Sequence, residues 1–148
     1  DLRMSRGLGD VYKRQEYDSS MTRTNTRNIY GALVEQNVVC EGYAESLKYL
    51  LDAVGVPCVE IVGTGTNSAG QTEAHAWNYV MLNNKWYAVD VTWDDPTIIG
   101  SGRVPTSTKT RYFLKGETNF NQTHFPSGQV SDGGSVFIYP ELSTEDYE

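Results

Sequence analysis

Residues 74–92 read AHAWNYVMLNNKWYAVDVT, two aromatic-rich runs, Ala74 to Leu82 and Lys85 to Thr92, separated by Asn83-Asn84. Aromatic and β-branched enrichment predicts a strand for each run, and asparagine accepts the positive φ that a two-residue hairpin turn requires. With those two residues as the loop, Met81 faces Trp86, Tyr79 faces Ala88 and Trp77 faces Asp90. Strand side chains alternate with period two, so His75 shares the face of Trp77, and Asp90 becomes a diagonal neighbour of His75 on that face. Diagonal pairs lie about 7–8 Å apart at the backbone, within reach of an Asp–His hydrogen bond.

Upstream, Cys40 to Val54 carries apolar residues at Tyr43, Ala44, Leu47, Leu50, Leu51 and Val54, the spacing of an amphipathic helix. Gly55 and Pro57 should end it. Cys40 then falls at a helix N-terminus, where unpaired N–H groups favour a thiolate. Gly42 adds a small residue near the sulfur, expected to leave room for a substrate carbonyl. Cys58 to Val62 reads as a strand, Gly63 to Thr72 as a loop, Thr97 to Lys109 as a polar loop, and Arg111–Lys115 and Ser135–Tyr139 as two more strands. A helix followed by an antiparallel sheet is an α+β arrangement.

A thiolate nucleophile needs a base that can later protonate the leaving amine, and a carboxylate on the far imidazole nitrogen fixes the tautomer. Cys40, His75 and Asp90 supply that set. An acid inside Tyr87-Ala88-Val89-Asp90-Val91 would be costly to bury without a partner. Trp77 and Trp93 are candidate walls of a substrate cleft, set against an ordinary core role. Asn78 points away from His75 and reads as structural. Asp94-Asp95 before Pro96 reads as a solvated turn rather than a metal loop, because no alternating oxygen ligands follow. No metal is expected: Cys58, Glu73 and His124 lack ligand spacing for zinc.

The segments Val39-Cys40-Glu41-Gly42-Tyr43-Ala44, His75-Ala76-Trp77-Asn78 and Trp86 to Pro96 (WYAVDVTWDDP) resemble the three signature blocks of bacterial transglutaminase-like proteins. Gly55-Val56-Pro57-Cys58 and Tyr112-Phe113-Leu114 followed by His124 fit the same pattern, and the resemblance runs from Tyr17 to His124. It implies a papain-like transglutaminase core, with a cysteine-bearing helix packed on an antiparallel sheet. It also implies Cys40 as nucleophile, His75 as general acid/base and Asp90 as orienting group. The reaction would be acyl transfer or hydrolysis at amide bonds of a protein or peptide through a thioester, without a cofactor. The rival reading is a catalytically silent peptide-binding module of the same fold.

The whole chain sets further bounds. At 148 residues, with 39% hydrophobic and 11% aromatic residues, it suits one domain. A formal charge of -7 with no basic cluster argues against a nucleic-acid partner. No run approaches the roughly 18 apolar residues of a membrane span. Asp1 to Gln15 show no periodicity and resemble translated adapter read-through. We therefore expect a non-native lead-in at 1–15 and a single domain at 16–148, part of a longer protein whose native N-terminus is missing. Family habit suggests a cell-surface or extracellular location. Acceptor, substrate identity and oligomeric state are not legible in the residues.

Overall fold

The computed structural model describes residues 16–20, 22–35, 37–95, 110–127, 129–130 and 136–148. The readings for 1–15 and 97–109 lie outside them. Strand β1 (Glu16–Tyr17) and β2 (Asn37–Val38) pair in parallel, with a π-helical turn at Gly31–Glu35 between them. Helix α1 (Cys40–Ala53) follows at once. Then come β3 (Cys58–Thr66), β4 (Thr72–Leu82), β5 (Lys85–Val89), the short helix α2 (Glu117–Phe120) and β6 (His124–Pro126). A two-stranded ribbon, β7 (Gln129–Val130) with β8 (Val136–Phe137), completes the elements. The main sheet is antiparallel with order β5-β4-β3-β6, and α1 packs on it, the α+β arrangement expected.

The ends of α1 follow local rules. Gly55 has φ 76°, and the bonds Gly55 N–H to Asp52 O (3.1 Å) and Val56 N–H to Leu51 O (2.9 Å) close a Schellman motif. Its apolar stripe, Tyr43, Leu47 and Leu51, packs with Val38, Cys58, Val80 and Val89 on one face of the sheet. Fully burying each such side chain is worth about 1.5–3 kcal/mol. The opposite face carries Ile61, Trp77, Tyr79 and Ala88 against Phe120 of α2.

The hairpin has the expected register: Asn78 pairs with Val89, Tyr79 with Ala88 and Met81 with Trp86. Asn83 and Asn84 take φ 50° and 60°, the mirror-image turn that matches strand twist. Several boundaries differ from the sequence reading: β4 begins at Thr72 rather than Ala74, and the strand expected to reach Tyr139 stops at Phe137. β3 continues through Gly63 and Gly65 to Thr66, because these glycines mark close approach rather than a strand end. β5 stops at Val89, where the Asp90 N–H turns to Tyr112 O (3.1 Å) and residues 91–94 form a turn. Arg111–Lys115 is a turn joined to β5 by one bridge, Ala88 with Lys115. Leu114 at φ 51° cannot continue a strand.

That early end of β5 matters. β4 keeps β3 on one side from Thr72 to Val80, but β5 covers its other side only from Asn78 to Leu82. His75 therefore lies on a stretch of β4 that β5 has left uncovered. Among the described residues, no helix is long and apolar enough to cross a membrane.

Candidate active site

Cys40 opens α1, held there by β2 and by Val39 N–H bonding to Thr26 O (2.9 Å). Val39 offers no side-chain cap, so no capping side chain occupies the first-turn N–H groups. Gly42 does not serve substrate access. A Cβ there would meet Val38 Cγ1 at 2.7 Å and Thr26 O at 2.9 Å, so the space beside it is filled by the chain's own lead-in.

The three expected residues come together. His75 Nε2 lies 2.7 Å from Asp90 Oδ2, and Cys40, through hydrogen bonding and charge, raises the pKa of the same imidazole. With Nε2 engaged by the carboxylate, Nδ1 is the nitrogen left for sulfur. Burial pulls the His75 pKa down, but the hydrogen bonds and charges of Asp90 and Cys40 outweigh it and carry it up to about 10. Asp90 is fully buried. Burial pushes its carboxyl up, while hydrogen bonds from His124 and His75 hold it below the usual range. Its Oδ1 accepts the Trp93 N–H at 3.1 Å.

His124 is the residue whose place the sequence reading missed. β6 pairs Gly65 with His124, and the ring reaches Asp90 Oδ2 through Nε2 at 3.0 Å. Its Nδ1 lies 2.9 Å from the Thr123 hydroxyl, and the ring stacks on Phe120 with centroids 4.0 Å apart. The available signal was Gly63-Thr64-Gly65, two glycines on one face of a strand. A Cβ on Gly65 would come within 2.9 Å of Trp93 and 3.3 Å of His75 Cδ2.

The two tryptophans separate. Trp93 stacks on His75 and lines a cleft of about 390 Å³ together with Tyr17, Glu73, His75, Asp95 and Arg111. Trp77 is 1% exposed, edge-on to His124 in the core, and so does not line that cleft. Tyr17 reaches the cleft because β1 pairs it with Val38, two residues before Cys40. Burial, and next the charge of Cys40, raise its pKa.

Asp94 and Asp95 are not a solvated turn. Asp94 is buried, accepts the Tyr112 N–H at 2.8 Å on Oδ1, and has its pKa pushed up to about 8, first by burial and then by the charge of Asp90. Asp95 accepts the Tyr43 hydroxyl at 2.9 Å. Asn78 is structural as expected, its Nδ2 donating to Ala44 O of α1 at 2.9 Å. Cys58 lies where β3 begins, and burial raises its pKa to about 12.

Among the described residues, His75, Asp90 and His124 bring ligand atoms within 4.8 Å of one another. Both ring nitrogens already bond one carboxylate oxygen, so these groups satisfy each other by hydrogen bonding. The arrangement sets one imidazole against a buried carboxylate, with a cysteine that acts on the same ring, groups of the kinds that acid–base and nucleophilic chemistry use.

The chain is similar to known proteins. The family model of the transglutaminase-like superfamily matches residues 5–91. Kyphoscoliosis peptidase of Mus musculus is 32% identical over 132 residues, covering 77% of this chain and 19% of the relative. That of Homo sapiens is 31% identical with the same coverage. The chain thus spans about a fifth of the length of these relatives. A crystal structure of a TGase aligns over 71% of this chain and 29% of its own, at 18% identity and a TM-score of 0.48.

Proposed function

Because the chain belongs to the transglutaminase-like superfamily, we propose that it carries a cysteine-dependent enzyme acting at amide bonds of protein or peptide substrates, with Cys40, His75 and Asp90 as its triad. The observation that supports this most is the imidazole of His75, bonded to Asp90 through Nε2 at 2.7 Å and raised in pKa by the hydrogen bond and charge of Cys40. A His75 raised to about 10 is an imidazolium near neutral pH, the partner a thiolate needs.

In this reading the Cys40 sulfur attacks the carbonyl carbon. The developing oxyanion is met by the uncapped backbone N–H at Cys40. The C–N bond breaks as His75 gives its proton to the departing amine, leaving a thioester. Neutral His75 then takes a proton from water, whose oxygen attacks the thioester and releases Cys40. An amine in place of water would give transfer instead. The relatives' name, peptidase, favours water as the acceptor.

The test is iodoacetamide labelling followed by mass spectrometry of each cysteine. Near neutral pH Cys40 should alkylate far faster than Cys58, and His75→Ala should slow Cys40 by about 10²- to 10⁴-fold. Equal rates for the two cysteines would sink the proposal. Incubation with a glutamine-containing peptide and acid quenching should trap an acyl adduct on Cys40. Competition between water and an added amine then identifies the acceptor.

A further inference from the structure

Asp90 Oδ2 faces two imidazoles, His75 Nε2 at 2.7 Å and His124 Nε2 at 3.0 Å, and the three residues have almost no contact with solvent. A buried carboxylate beside an imidazolium can take its proton and leave two neutral groups. That outcome would remove the positive charge His75 holds beside Cys40. What prevents it must lower the proton affinity of Asp90 without adding a competing cation.

His124 meets both conditions. Its ring is 0% exposed and enclosed by Phe120, Trp93 (4.6 Å), Trp77 (5.1 Å) and Tyr112 (5.3 Å), so a charge there would lose its hydration. The Thr123 hydroxyl has two acceptors in reach, Phe120 O at 3.5 Å and His124 Nδ1 at 2.9 Å; donation to the nearer Nδ1 places the ring proton on Nε2, aimed at Asp90. The titratable groups facing this ring are Asp90, His75 and Tyr112; β3 presents Gly65 and α2 presents Phe120, neither of which titrates.

We propose that His124 is a positioning residue: a neutral imidazole locked as an Nε2–H donor that keeps Asp90 a carboxylate, and so keeps the shared proton on His75. This deepens the triad reading above and rests on it. Asp90 then has three donors, from His75, His124 and the Trp93 backbone, while a single positive charge stays on the ring that touches Cys40.

The experiment measures Cys40 alkylation by iodoacetamide against pH in the wild type, His124→Phe and His124→Gln, with thermal melts of each. Phenylalanine fills the aromatic box without the donor, whereas the glutamine Nε2 can reach the same carboxylate. The expected result is a wild-type rate that is level through neutral pH, a His124→Phe rate near neutral pH lower by about 10²-fold and recovering only in alkali, and a His124→Gln rate close to wild type. A folded His124→Phe with the wild-type profile would overturn the proposal. So would a folded His124→Gln that loses as much as His124→Phe. Independently of any variant, ¹⁵N NMR of the wild type should show His124 protonated on Nε2 alone near neutral pH. A doubly protonated ring, or a proton on Nδ1, would also overturn the proposal. If wild-type Cys40 labels no faster than Cys58, the triad reading fails, and the nitrogen resonances still decide whether His124 holds Asp90 in the stated tautomer.

Discussion

The indole of Trp93 lies stacked on the imidazole of His75, centroids 4.9 Å apart and planes 24° apart. The stack covers the face of His75 and, through the Trp93 N–H, is tied to Asp90 itself. Both rings stand over Gly65, which has no side chain to displace them.

Gly65→Ala tests that dependence. The added methyl meets Trp93 at 2.9 Å and His75 at 3.3 Å, so one ring must move. A displacement approaching 1 Å at a catalytic group costs on the order of 10²-fold. Cys40 alkylation near neutral pH should therefore fall, and the overpacking should cost about 1–3 kcal/mol of stability. An unchanged rate would show that the stack tolerates displacement.

Titration of His75 should report its two partners. Its raised pKa, about 10, means that the stability contributed by its partners is fully present below its ordinary value of 6.5, and is lost as pH rises through about 10. Cys40→Ala removes one of the raising interactions and leaves Asp90. The His75 midpoint, followed by NMR, should then move below about 10 yet stay above 6.5. No movement would mean that Cys40 is not coupled to the ring.

Asp94 carries a stability term whose pH window lies lower. Its carboxyl is raised from 3.8 to about 8 by burial, so the folded state holds a proton that the unfolded state has lost, and stability falls as pH rises from about 4 to about 8. An asparagine in its place cannot ionise, and the amide oxygen can still accept the Tyr112 N–H. Asp94→Asn should match the wild type near pH 4 and be the more stable protein near pH 8, as read by urea midpoints. A variant less stable at both would contradict the burial argument.

Gly55→Ala addresses the end of α1. The space around Gly55 is open, but its φ of 76° is left-handed, so alanine should cost about 1 kcal/mol of stability by backbone strain alone. Because the position is at the far end of the helix from Cys40, alkylation of Cys40 should keep its rate. Denaturant unfolding and labelling together separate the two effects.

Much of the site was legible because it is encoded locally. Asn83 and Asn84 specify the turn, and the turn specifies the register as far as Asn78 with Val89; the expected pairing of Trp77 with Asp90 does not form, because Asp90 lies one residue beyond β5, yet its carboxylate still reaches His75. The helix that begins at Cys40 is written in the spacing of Tyr43, Leu47 and Leu51 and in the glycine that ends it. These rules operate over a few neighbouring residues, so the chain by itself determined where the candidate nucleophile and the imidazole would stand in their own elements, and brought the carboxylate to the end of β5.

Tertiary structure decided what surrounds them. β6 brings His124 to Asp90 by pairing with β3 along Gly63–Gly65, a partner far away in the chain. The end of β5 at Val89 depends on Tyr112, and the burial of Asp94 on the same distant turn, whose residues read as a strand in isolation. Tyr17 entered the cleft through a parallel pairing with Val38, and Trp77 left it because Phe120 and His124 cover its ring. Each of these is a contact between segments far apart in the chain, set by which edges and faces remain open once the local elements have formed.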